Sequence, residues 1–109
     1  MPLETIIQAI KSRQSLSFEY NKEGKVAGSR YGNPHAIFIM RRKDNSESTK
    51  VHIVQTGGVS DSGQEMPSWR MFDLMELSNV VVMPSETKFE IFVTYNPEWD
   101  GYKYVIAKV

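Results

Sequence analysis

The sequence predicts a mainly β domain with one N-terminal helix, a small β-barrel followed by a C-terminal β-hairpin. Three observations carry this. Short runs in which apolar and polar residues alternate recur along the chain, the spacing of half-buried strands. Tracts rich in Gly, Asn, Pro and Ser separate them. Only one stretch has helical period, so the strand–helix alternation that builds parallel sheets is missing.

Leu3, Ile6, Ile7 and Ile10 recur at helical spacing, with Pro2 at the start and Lys11 and Arg13 near the end, where the helix dipole favours cations. The apolar stripe is narrow, so the helix is expected to cap a sheet. Leu16, Phe18 and Tyr20 alternate with Ser17 and Glu19 as a first strand. A second strand is expected over residues 25–31, with a bulge at Gly28 and an end at Gly32-Asn33-Pro34. Residues 37–40 form a continuous apolar run, a strand covered on both faces. The basic triplet Arg41-Arg42-Lys43 opens a polar turn and reads as a solvated edge that discourages sheet-to-sheet association. Residues 50–55 return as the hairpin partner, with Val51 and Ile53 on one face and His52 and Val54 on the other.

Residues 57–68 hold three glycines, a proline and few sizeable apolar side chains. Such a loop is either a lid over a site or a surface excursion. Residues 69–82 then carry the densest apolar content, as a strand, a tight turn at 75–77 and a second strand from Val80 to Met83. Alternation puts Arg70 on the same side as Phe72 and Leu74. An arginine there requires a partner such as Asp73 or Glu76, an anionic ligand, or a place at the sheet's rim where its head meets water. Phe89, Ile91, Val93 and Tyr95 alternate with Glu90, Phe92 and Thr94 as another strand, residues 96–101 read as a turn, and residues 102–109 as the last strand. The last two strands are expected to pair as a hairpin.

A chain of 109 residues fits a single domain with one core. The absence of cysteine excludes disulfides and thiolate chemistry and fits a reducing, cytoplasmic setting, and no apolar run is long enough to span a bilayer. No nucleophile–base pair, acid dyad, phosphate-cradling glycine loop or metal-ligand spacing stands out, so a non-enzymatic role without cofactor is expected. Net charge is zero, yet residues 1–54 hold nine of the thirteen Lys/Arg and five of the thirteen Asp/Glu. That asymmetry makes either a local anion-attracting face or two halves that neutralise each other.

Taken together, the pattern resembles the WYL domain, a bacterial regulatory module. The resemblance spans residues 3–83 and rests on the Ile/Leu-rich helix ending Ala9-Ile10-Lys11, the strand Leu16-Ser17-Phe18-Glu19-Tyr20, Arg30-x-x-x-Pro34 before an apolar strand, Val51-His52-Ile53-Val54, and Arg70-x-Phe72-x-Leu74 followed by Leu77-x-x-Val80. The family's Trp-Tyr-Leu falls on Val51-His52-Ile53, so the alternation survives without the aromatic pair. Residues 84–109 lie outside the match. The resemblance implies an SH3/Sm-like small barrel that binds a negatively charged ligand, a nucleotide or single-stranded nucleic acid, through basic and aromatic residues at the rim. Carried over, Arg70 and Arg30 are the expected cations and His52 stands at a ligand-lining position, where it would donate to an anion when protonated or stack on a base. Trp69 either stacks on a base or buries against the C-terminal hairpin. The alternative function is a protein-interaction or homodimerisation domain with a degenerate ligand site, in which the hairpin offers its edge.

Overall fold

A computed structural model describes residues 2–60 and 65–109. The expected helix is α1, Pro2–Ser12, with Ile6, Ala9 and Ile10 buried along one face. Proline is preorganised for the first helical position, and at the other end Arg13 takes φ 50° while the Gln14 N–H donates to the Ala9 carbonyl at 2.9 Å, a left-handed cap. Among the described residues six strands follow: β1 Leu16–Tyr20, β2 Ser29–Arg41, β3 Glu47–Gly58, β4 Ser68–Asp73, β5 Leu77–Val82 and β6 Val105–Lys108. They form one antiparallel sheet in the order β4-β3-β2-β1-β5, with β6 also paired to β2. The domain is therefore mainly β with one leading helix. A single 3-10 turn, Leu74–Glu76, joins β4 to β5.

β2 differs from expectation. It runs without a break through Gly32-Asn33-Pro34, where the sequence predicts an end. Register explains how a proline is tolerated. β1 pairs with β2 only as far as Gly32, and β6 takes over the same edge at Ala36. Pro34 lies in the gap between them, beside a bulge, which is where strand prolines are accommodated. Against β3, Pro34 faces Ile53 and Ala36 faces His52, so His35 is the extra residue of that bulge. The bulge changes the parity of the strand. Before it Arg30 points among Tyr20 and Phe72; after it Ile37 points into the same core while Ala36 and Phe38 point the other way.

Two apolar layers result. On the inner face α1 closes over Leu16, Phe18, Tyr20, Ile37, Val51, Ile53, Phe72 and Leu77. Phe72 meets Phe18 and Tyr20 edge-to-face at centroid distances of 5.2 and 4.8 Å, contacts worth about 0.5–1.5 kcal/mol each beyond the area they bury. On the outer face Ala36 and Phe38 pack with Tyr102, flanked by Met40 and Tyr95.

The C-terminal hairpin does not form. Residues 83–99 contain no strand, Asp100–Tyr104 is a 3-10 turn, and only Val105–Lys108 is extended, pairing with β2 rather than with residues 89–95. Side-chain orientation gives the reason. Ile91 and Val93, which period-2 alternation groups with Phe89 and Tyr95, stand 45% and 92% exposed. The residues that dock are Phe89, Phe92 and Tyr95, every third position, laid across His35 and Trp69. The segment is a strap across the outer face. The loop expected over residues 57–68 lies partly outside the described residues; its flanks belong to β3, which runs to Gly58, and to β4, which starts at Ser68.

Candidate aromatic pocket on the outer face

Among the described residues β4 is an edge strand, paired with β3 alone. Its outward residues Trp69 and Met71 lie opposite Val54 and His52 of β3. The strap and the following 3-10 turn bring Thr94, Asn96, Trp99 and Tyr102 up to them. Between these walls is an open pocket of about 390 Å³, which Arg70 also lines.

Trp69 is fixed by both neighbours. Its indole Nε1–H donates to Thr94 Oγ1 at 2.7 Å, and its ring packs edge-on against His35 and Phe92 and stacks with Tyr95. Trp69 thus packs against the C-terminal segment and presents one side to the pocket. Trp99 forms the opposite wall, its ring tilted 30° over His52 at 5.0 Å. Gly101 makes room for it, because a Cβ there would lie 2.2 Å from the Trp99 ring.

His52 shares a 2.8 Å hydrogen bond between Nδ1 and the Tyr102 hydroxyl. Burial, aided by the neighbouring His35, pushes its pKa down to about 4, and burial pushes Tyr102 up to about 12. Both are neutral at pH 7. The imidazolium role expected of His52 therefore does not operate near neutrality, and what it offers is a flat ring and a neutral N–H.

Arg70 reaches the pocket from the strand's edge. Its backbone is opposite Ile53, its stem on the side of Phe72, while Nη1 donates to the Trp69 carbonyl at 3.3 Å and Nη2 to Ser60 Oγ at 3.1 Å. Of the carboxylates the sequence offers it, Asp73 is engaged by Lys50, in a short hydrogen bond, and by Lys22 at 3.9 Å. Burial alone would raise Asp73, but the Lys50 and Lys22 ammoniums hold it below the usual carboxylate value. Here lysines of the first half neutralise an acid of the second.

Arg30 stands apart from this group. It is 1% exposed, with its guanidinium 5.7 and 5.8 Å from the Tyr20 and Phe72 centroids, and it donates to Gln55 Oε1 at 3.5 Å and to the Val26 carbonyl at 3.3 Å. Even positions of β2 before the bulge face the core, which takes Arg30 away from the pocket wall. The structure thus brings together His52, Trp69 and Arg70, and places Arg30 inside the inner layer.

Sequence reasoning missed His35, Trp99 and Tyr102 as site residues. The recurrence of Phe89, Phe92 and Tyr95 at every third position was the available sign that this segment docks rather than pairs. Among the described residues, no group of three or more His, Cys, Asp or Glu is placed to hold a metal, and no helix is long and apolar enough to cross a membrane.

Fold and site together define a helix-led antiparallel β domain with an aromatic pocket at an open sheet edge. No known protein family, curated protein or solved structure matches the chain.

Proposed function

We propose that the chain is a non-enzymatic regulatory module that binds a negatively charged, ring-bearing ligand, a nucleotide or a single-stranded nucleic acid, in the outer-face pocket. One observation supports this above others: Trp69, His52 and Trp99 present aromatic surfaces to a space that Arg70 borders. Aromatic faces accept any base by stacking, and a guanidinium grips phosphate with paired donors. The resemblance to the WYL domain, with its small barrel, points to the same chemistry.

The test is titration of a labelled oligonucleotide and of a nucleoside monophosphate at two salt concentrations. Arg70→Ala is expected to weaken binding about 10- to 100-fold, the loss of roughly 1.5–3 kcal/mol for a charged hydrogen bond, and to lower the salt slope by about one phosphate contact. Trp99→Ala is expected to weaken it comparably at both salts. Affinity unchanged in both variants, with the wild-type near-ultraviolet circular dichroism retained, rejects the pocket.

A second reading is favoured by the open edge of β4, beside which Met71 and Met75 stand exposed. A protein partner would add a strand there. A concentration-independent monomer in sedimentation, together with oligonucleotide binding, excludes self-association through that edge.

A further inference from the structure

The imidazole of His35 is fully buried and satisfied at both nitrogens. Nδ1–H donates to the Asn33 carbonyl at 2.8 Å, since a carbonyl only accepts. Nε2 accepts the backbone N–H of Phe92 at 3.0 Å. Those two partners allow one tautomer, neutral, with its proton on Nδ1. The bond to Phe92 ties the strap to the sheet at the bulge of β2, and the strap supplies Thr94, Asn96 and Trp99 to the pocket. A proton on Nε2 would face an N–H, donor against donor, inside a ring of Trp69, Phe89 and Tyr95.

We propose that His35 is a proton-sensitive latch: protonation of Nε2 breaks the bond to Phe92, frees the strap and dismantles the pocket. The proposal rests on the binding reading above and states how that site is regulated.

The groups that face His35 favour this response. From β3 comes the imidazole of His52, whose protonation adds a like charge. From the strap comes the phenol of Tyr95, raised by burial and neutral throughout the range, and from β4 the indole of Trp69, which does not titrate. Just after β6 the Val109 N–H donates to the His35 carbonyl at 2.9 Å and the Val109 oxygen accepts from the Tyr95 hydroxyl at 3.1 Å, so the side chain gains no partner there. Burial accordingly holds His35 below the ordinary histidine value, against a smaller opposing effect of the Asn33 carbonyl. By linkage, whatever ligand the pocket takes must disfavour this proton by the same factor as the proton disfavours the ligand.

The test follows the wild-type chain by nitrogen-15 NMR from pH 7.5 to pH 4. The His35 ring nitrogens and the Phe92 amide are expected to titrate with one midpoint, below the ordinary ~6.5 of histidine, together with a change in Trp fluorescence. Different midpoints for the ring and the amide overturn the latch. His35→Gln keeps both hydrogen bonds through a neutral side chain, so a folded variant is expected to lose the transition, whereas His52→Gln is expected to keep it. A folded His35→Gln with the wild-type profile overturns the proposal. Oligonucleotide binding at pH 7.5 is measured separately: binding without a His35-linked transition overturns the latch alone, and a titrating latch without binding at any pH supports the latch and overturns the ligand reading.

Discussion

Arg30 packs beside the paired rings of Tyr20 and Phe72 with its polar head turned to Gln55 and the Val26 carbonyl, and Arg70 lies at the edge of β4 with its head beside the pocket. Arg70 was legible in the sequence as a cation in line with apolar residues, whereas Arg30 was singled out only through the resemblance, as the cation before Pro34. What separates them is their distance from a sheet edge, which the sequence does not carry. A guanidinium in the inner layer covers aromatic faces with its stem and plane, so truncating it removes packing as well as charge. Arg30→Ala is expected to cost about 2–4 kcal/mol of stability, the range of a large core truncation, and Arg30→Lys to recover little of it, because an ammonium lacks the planar fork. Urea denaturation measures the loss. Oligonucleotide affinity in the folded Arg30→Ala variant is expected to equal that of wild type, and a weakened affinity at unchanged stability would instead make Arg30 a ligand contact.

The strands that alternate cleanly, β1 and β4, were readable because each has one face on the inner core and period 2 survives intact. β2 was not, because the bulge at His35 splits one strand into two patterns of opposite parity, and Pro34 gave the join the look of a break. The strap was misread for a related reason. Phe89 to Tyr95 contains enough apolar residues to satisfy two periods, and only the tertiary surface, a sheet face already carrying His35 and Trp69, selects every third residue over every second. The bulge can be tested as an element. Deleting His35 removes the extra residue, so Pro34 stays opposite Ile53 and Ala36 opposite His52, and Ile37 keeps pointing inward while Ala36 and Phe38 keep pointing outward. What is lost is the side chain that accepts the Phe92 N–H and holds the strap. The deletion is therefore expected to keep the sheet by far-ultraviolet circular dichroism but to change the Trp fluorescence, while His35→Gln keeps both at neutral pH. Loss of the folded signal in the deletion mutant would show that the fold requires the bulge itself and not only the His35 side chain.

At the scale of the whole molecule, one sheet is covered twice, by α1 on the inner face and by the strap on the outer, and the two covers rest on different chemistry. The inner layer is aliphatic and aromatic, with Arg30 its one buried cation among the described residues. The outer layer surrounds two imidazoles, His35 and His52, whose neutral forms burial favours. Both have folded values below the unfolded ~6.5, so the unfolded chain binds more protons as the medium acidifies. Their contribution to stability is complete above about pH 6.5 and is lost as pH falls toward the value of about 4 that His52 reaches. Asp73 acts lower, since its depressed carboxyl favours the folded state until the pH drops below its ordinary value of 3.8. Urea midpoints are therefore expected to be flat from pH 8 to about 7, to fall steadily between about 6.5 and 4, and to fall again below that range as Asp73 protonates. His52→Gln should flatten part of the first decline and leave the second, and a Lys50→Met variant should do the reverse. A midpoint that stays level down to pH 4 would mean that the outer layer accommodates charged imidazoles, and that its aromatic cover does not depend on their neutrality.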